Sequence, residues 1–420
     1  MIPKLRWLIG GLLFVETVLN YLDLQTLSVL APKLKQELGV TTSQYGSIQD
    51  AFLYSYLFSF LVGGWVLDRL GIRWGMALSI TWWSLAEIYH GFAQSPHDLM
   101  IGRIFFGLAY PGAYITAAKV VAEWFPPEER GIGTGLYTAG ATIGGMIAPP
   151  LVTWVALQFN WRYTFFITGA MGLFYVVVWL ILYRPPQEHR WLSDAEKSHI
   201  LRGRNELQLL RNGGPLSMAD VLRDRHFWAV ALGRFFSDGA WWFYVAWIPT
   251  YLNNVHELEF AEIGRIAWIP FLFADFGSLT GGWASGRLVK RGWPVLRARL
   301  AIMLFCASIS VFTFTLGSIS SESFLIAVLS LLTFSIMAWM VNIGTIPTDA
   351  FPAAIVGRVT GLTSTAAILG TMVINKFATH CAETDDYSIL FVVMSVTTPI
   401  AFLIVYLFVR RSPLFSRSEG

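Results

Sequence analysis

Long apolar stretches with almost no Lys, Arg, Asp or Glu alternate along this chain with short charged clusters. An α-helix rises about 1.5 Å per residue, so about 20 mostly apolar residues cross the hydrocarbon core of a bilayer. The pattern predicts membrane spans near residues 7–30, 46–66, 74–94, 100–122, 132–156, 163–183, 227–252, 262–284, 298–318, 323–347, 356–379 and 387–409, twelve in all. They are continuous apolar runs of helix length, not ten-residue alternating strands, which excludes a β-barrel. The first span carries Glu16, Asn20 and Asp23 and no small-residue cleavage pattern, so it reads as a retained membrane helix rather than a removed leader.

The largest polar interruption divides the spans six and six. The expected organisation is an N-terminal half at 1–183, a cytoplasmic linker at 184–226 and a C-terminal half at 227–420. Within the linker, Trp191–Leu210 combines helical periodicity with many charges and predicts an interfacial or solvated helix. The halves also repeat each other. Gly63-Gly64-Trp65 followed by Arg69 recurs as Gly281-Gly282-Trp283 followed by Arg287, an offset of 218 residues. Phe125-Pro126, Gly135-Leu136, Gly144 and Met146 recur as Phe351-Pro352, Gly361-Leu362, Gly370 and Met372, an offset of 226. Two sets at equivalent places in both halves point to duplication, a common construction for transporters.

The charges orient the chain. With both termini cytoplasmic, that side collects 22 of the 30 basic residues, among them Arg69, Arg73, Arg130 and a cluster from Arg287 to Arg299. The opposite side has Lys33, Lys35, Arg162, Arg265 and Lys376, and Arg103, Lys119 and Arg234 fall within spans, so the positive-inside rule puts the termini in the cytoplasm. Topology also accounts for the net charge of +3, and nothing in it points to nucleic acid. Only 14% of the residues are charged and 55% are hydrophobic, against about 25% charged in soluble domains. The two cysteines, Cys306 and Cys381, are too few for a disulfide framework or a cysteine metal site and read as packing residues.

Residues Gly64 to Arg73, with Asp68, Arg69 and Gly71 between two spans, resemble the signature loop of the major facilitator superfamily. Physically they are a tight glycine turn that presents an acid and two arginines at the cytoplasmic mouth, where they can pair with neighbouring helix ends; the bland alternative is topogenic charge alone. Asn20-Tyr21-Leu22-Asp23, Glu123-Trp124-Phe125-Pro126 followed by Glu129-Arg130, and Ile147-Ala148-Pro149-Pro150 resemble the anion:cation symporter family within it. Trp241-Trp242-Phe243-Tyr244 leading to Trp247-Ile248-Pro249-Thr250-Tyr251-Leu252, and Ala274-Asp275-Phe276-Gly277, resemble the bacterial hexuronate transporters of that family. The resemblance implies an all-α membrane protein of twelve helices in two pseudo-symmetric six-helix halves. It also implies proton-driven uptake of a small organic anion, such as a hexuronate or other sugar acid, by alternating access. The family's substrate-facing tyrosine falls on Tyr56 and its helix 4 arginine on Arg103; Tyr21, in the span 1 motif, joins them as a substrate-facing residue.

Ionisable groups inside a bilayer are costly and face a protein interior or a watery cavity. A guanidinium at Arg103 offers a fork of donors suited to a carboxylate, and its alternative is a snorkelling or structural arginine. Asp23, interior to span 1, suits a proton-coupling group, or else a static partner for a basic residue. Glu16 lies seven residues earlier on nearly the same face and is a second proton site or a polar helix contact. Arg234 and Asp238 have the four-residue spacing of a pair on one helix face and read as structural. Asp275 and the Glu87–His90 pair read as gating or packing residues, as do Asp68, Arg69, Arg73 and Arg130 at the cytoplasmic ends. Trp242 and Tyr244 offer stacking surfaces for a sugar ring, unless they belong to an interfacial belt or the core.

No phosphate-binding loop and no clustered nucleophile, base or metal-ligand set is present in the sequence, so neither ATP-driven transport nor an enzyme is expected. No cofactor is expected. The expected partners are a small organic anion, H+ and the lipid of a bacterial inner membrane, and the chain is expected to be a monomer. One departure bears on coupling. The family commonly has an arginine after the span 1 aspartate and a glutamate seven residues after the helix 4 arginine, where this chain has Leu24 and Tyr110. Either Asp23, alone or with Glu16, carries coupling, or the protein is a facilitator or uses another ion such as Na+. A non-transporting sensor on the same scaffold is the competing class.

Overall fold

The computed structural model describes residues 4–201, 217–256, 266, 268–384 and 387–410. The basic residues Arg202, Arg204, Arg211, Arg265, Arg411 and Arg417 lie outside the described residues, as does the 202–210 part of the helix predicted over Trp191–Leu210, of which 194–201 is helical. The side chains of Trp247 to Leu252 also lie outside them, although their backbone is helical.

The described residues are helical almost throughout. In chain order the helices are α1 (Leu5–Glu37), α2 (Thr42–Gly91), α3 (Pro96–Ala109), α4 (Pro111–Trp124), α5 (Pro127–Gln158), α6 (Trp161–Leu182), α7 (Met218–Arg223), α8 (Arg225–His256), α9 (Trp268–Lys290), α10 (Val295–Ser310), α11 (Glu322–Ala350), α12 (Ala353–Thr384) and α13 (Ser388–Val409), with a 3₁₀ segment at Val311–Ser318. Nine stretches of the described chain are long and apolar enough to cross a membrane. One of them, Ser43–Gly91, holds two crossings, because Gly71 breaks it with φ 75° and ψ 167°, a backbone that favours glycine. The helices α8 and α9 supply the two others.

The expected spans meet local corrections. Spans 2 and 3 are joined through that single residue rather than by a loop. Span 4 is one continuous stretch, Pro96–Trp124, in which Tyr110 keeps helical φ and ψ and the hydrogen-bond ladder is interrupted only because Pro111 has no N–H to give. The end of span 9 tightens into the 3₁₀ segment. The starts of α2, α3 and α6 are built from ordinary caps. Thr41 and Gln44 form a capping box ahead of α2, Ser95 and Asp98 form another ahead of α3 with Pro96 at its first position, and Asn160 caps α6.

The described chain forms two compact units. One comprises Met1–Trp124, Leu136–Arg202 and Ala353–Gly361; the other comprises Phe125–Gly135, Gly203–Pro352 and Leu362–Gly420. The start of α5 thus belongs to the second unit and the start of α12 to the first. In the first, apolar residues of α1, α2, α3, α5 and α6, including Leu27, Leu30, Ile48, Leu99, Val152 and Trp161, form one buried cluster.

Each unit holds its borrowed segment by the same close approach. A Cβ added to Gly64 would collide with the backbone of Gly357, and one added to Gly282 would collide with that of Gly131. Four residues further along the borrowed helices, Gly361 abuts Phe60 O and Gly135 abuts Ser278 O. These contacts map onto one another by the offsets of 218 and 226 found in the sequence, so the duplication extends to packing.

Candidate functional site

The first unit carries a buried polar cluster enclosed by aromatic rings. Arg103 on α3 is 1% exposed. Its Nη2 donates to Leu24 O at 3.3 Å, whereas its Nε and Nη1 donate to no protein atom. The guanidinium lies 5.2 Å from the Phe106 ring and 5.8 Å from that of Phe52, within range of cation–π attraction. Tyr56 stacks on Phe52 at 5.4 Å, and Tyr110 contacts Phe52, Tyr56 and Phe106 at 5.8, 5.7 and 5.3 Å. Tyr21 reaches Tyr110 at 6.5 Å. Arg103, Tyr56 and Tyr21, three residues singled out in the sequence, therefore meet around Phe52 and Tyr110. Neither of these two signalled a site by itself, and Tyr110 stood out only as a departure from a pattern.

Asp23 on α1 accepts from Trp83 Nε1 at 3.0 Å. It lies within electrostatic range of Arg103, as does Glu87 on α2. Glu87 and His90 are both wholly buried and 4.0 Å apart, and His90 Nδ1 lies 2.6 Å from Ala86 O. Neither carboxyl oxygen of Glu87 has a hydrogen-bond partner. The helices approach closely here because Gly102 faces the His90 ring; a Cβ at that position would sit 2.8 Å from it. Glu16 is buried as well, with Oε2 accepting from Thr17 at 3.2 Å and Oε1 unpartnered.

In the second unit, Tyr244 on α8 is buried and its hydroxyl lies 3.1 Å from Thr313 Oγ1, while the neighbouring Trp242 is exposed. Arg234 pairs with Asp238 at 2.9 Å and donates to Ser364 Oγ at 2.7 Å. Asp275 is buried on α9.

Two further ionic clusters hold the borrowed segments. In the first unit, Asp68 accepts from Lys119 Nζ at 2.8 Å and from the backbone N of Arg358 at 3.1 Å, and its carboxylate forms an ion pair with the Arg358 guanidinium, 3.1 Å from Nε. Arg69 lies 3.6 Å from the Trp65 ring, and Arg73 donates to Leu180 O at 2.7 Å, near the end of α6. In the second unit, Asp349 pairs with Arg130 at 3.2 Å and with Arg299 at 3.0 Å; Arg299 also donates to Ser285 Oγ and Pro127 O. Sequence reasoning missed Lys119, Arg299, Asp349 and Arg358 as partners. The available signal was a lysine and an acid at positions where an apolar helix ends.

These features define a multi-pass membrane carrier. The Major Facilitator Superfamily model matches residues 13–375. The hexuronate transporter of Escherichia coli strain K12 is 31% identical over 414 residues, covering 98% of this chain and 96% of that one. A galacturonate transporter of Dickeya chrysanthemi is 36% identical over 282 residues, 67% of this chain and 82% of that one. Among solved structures, a proton:xylose symporter bound to 6-bromo-6-deoxy-D-glucose superposes with a TM-score of 0.72 at 15% identity, covering 97% of each chain. The chain belongs to the Major Facilitator Superfamily, a family of transporters and not of enzymes, and it has that family's twelve-helix, two-half fold.

Proposed function

We propose that this protein is a proton-coupled symporter that carries a small sugar acid, a hexuronate first of all, across a bacterial inner membrane by alternating access. Its halves at 1–183 and 227–420, joined by the linker at 184–226, are the moving bodies; both termini are cytoplasmic and the protein acts as a monomer. The observation that carries this reading is Arg103. A buried guanidinium with two donor nitrogens not engaged by protein, ringed by Phe52, Phe106, Tyr56 and Tyr21, is suited to an anion that bears both a carboxylate and a ring. The near full-length likeness to a hexuronate transporter supports the same substrate class. Trp242 and Tyr244 are the residues of the C-terminal half assigned to the sugar. Asp23, with Glu16 one further step along α1, is assigned to proton coupling. The ionic clusters at Asp68 and Asp349, with Arg69, Arg73 and Arg130, are gate contacts, whereas Arg234–Asp238 and Asp275 support the C-terminal half.

Purified protein in proteoliposomes tests the proposal. A thermal-shift screen over uronates, aldonates, aldarates and aromatic acids first identifies the ligand, because a molecule that binds only the folded state raises its stability. An imposed inward proton gradient should then concentrate that acid. Accumulation that survives collapse of the gradient but vanishes without Na+ would assign another ion. Equilibration without accumulation would make the protein a facilitator.

A further inference from the structure

Glu87 is wholly buried, and neither of its carboxyl oxygens has a hydrogen-bond partner. A buried ionised carboxylate with no donor at all is among the most costly arrangements a protein interior can hold. Asp23 is provided for differently. The Trp83 indole can only donate, so Asp23 is held as the acceptor and fits the ionised form. Trp83, Glu87 and His90 lie on one face of α2 at intervals of four and three residues.

The groups facing Glu87 can be named for each element. The helix α1 presents Asp23 and α3 presents Arg103. On its own helix, His90 points Nδ1 at the Ala86 carbonyl, which can only accept, so that nitrogen carries a proton; its ring stacks on Phe165 of α6 at 5.3 Å. Tyr45 and Tyr110 complete the surroundings of Arg103. Two carboxyls thus lie within electrostatic range of one guanidinium, and only one of them has a donor of its own.

We propose that Glu87 is the partner of Asp23 in proton coupling and holds the proton that permits an anion to bind Arg103. Ionised, Glu87 is a second carboxylate competing for the guanidinium. Protonated, it withdraws from that competition, and the carboxylate of the transported acid takes its place. One carboxylate replaces another at the same cation, so the charge of the buried cluster is the same before and after. One proton on Glu87 and one anion on Arg103 enter together and leave together. The unpartnered Glu87 oxygens and the unengaged Nε and Nη1 of Arg103 fit the protonated, anion-ready arrangement.

The inference rests on the proton symport proposed above, and its test separates the two. The acid found in the thermal-shift screen is titrated against wild-type protein, Glu87→Gln and His90→Gln across a pH series, with counterflow and gradient-driven uptake measured on the same preparations. Wild-type affinity should fall about tenfold per pH unit once Glu87 ionises, the slope of one linked proton. Glu87→Gln, a permanent mimic of the protonated side chain, should bind at high pH as wild type does at low pH. It should keep counterflow and lose accumulation against a gradient, while His90→Gln keeps the wild-type slope. If Glu87→Gln gives little folded protein, Glu87→Met serves with the same expected outcome. A Glu87 variant as pH-dependent as wild type, one that still concentrates the acid, a folded one that has lost counterflow, or a flat profile in His90→Gln each overturns the assignment. Wild-type protein that shows no proton-driven uptake overturns the symport reading instead.

Discussion

Trp83 Nε1 lies 3.0 Å from Asp23 Oδ2, and this bond between α2 and α1 fixes which way the buried aspartate faces. Trp83→Phe keeps most of the ring and removes the donor. Hydrogen bonds to charged groups contribute about 1.5–3 kcal/mol, so thermal unfolding in detergent should occur at a lower temperature. Gradient-driven uptake should fall with it. An unchanged melting temperature would show that the bond contributes nothing to folding.

Arg103→Ala should abolish anion binding, and Arg103→Lys should restore little, because an ammonium cannot present two parallel donors. Tyr56→Phe should weaken binding less, by about the 0.5–1.5 kcal/mol of one hydroxyl hydrogen bond. Isothermal titration with the acid identified by thermal shift reads all three. Wild-type affinity in Arg103→Ala would remove the anchor from the mechanism.

Asp68 holds Lys119 and Arg358 together in the first unit, and Lys119 is the deeper of the two cations. Removing one member of a buried ion pair typically costs about 3–5 kcal/mol, so Asp68→Asn should lower stability and transport. Gly64→Ala tests the same place by shape instead of charge, because its methyl group meets the Gly357 backbone. Both variants should make a cysteine placed at Arg358 react faster with a water-soluble maleimide. Unchanged labelling in both would separate this contact from any gate.

Leu24 and Tyr110 stand where the family resemblance leads one to expect an arginine and a glutamate. Tyr110 is packed among Phe52, Tyr56 and Phe106 with its hydroxyl unpartnered. Leu24→Arg alone should reduce folded yield or uptake by adding an uncompensated charge, and Tyr110→Glu added to it should recover much of the loss. Equal damage in the single and double variants would show that the positions are not coupled.

Asp23→Asn should retain counterflow, which needs no net proton movement, and lose concentration of the acid under an inward proton gradient. Undiminished accumulation in Asp23→Asn would take Asp23 out of the coupling step.

Much of this protein was legible in its sequence, because a bilayer leaves a chain few choices. Apolar runs of about 20 residues must become helices that satisfy their own backbone, so the spans follow from length and composition. The duplication was legible because glycines mark backbone contacts, and the pairs Gly64–Gly357 and Gly282–Gly131 keep the sequence offsets in space. Arg103, Tyr56 and Tyr21 could be picked out because arginine and tyrosine are conspicuous in an apolar span or match a family pattern. Tertiary structure decided what the sequence could not, namely which distant side chains share one buried volume. Periodicity placed Glu87 on α2, but only packing against α1 and α3 sets it beside Asp23 and Arg103 with no donor of its own. Lys119, Asp349 and Arg299 look like isolated charges until helices far apart in the chain bring their counter-charges within about 3 Å. Helix formation is local and obeys composition, whereas charge pairing across helices depends on which faces meet, and no single segment encodes that.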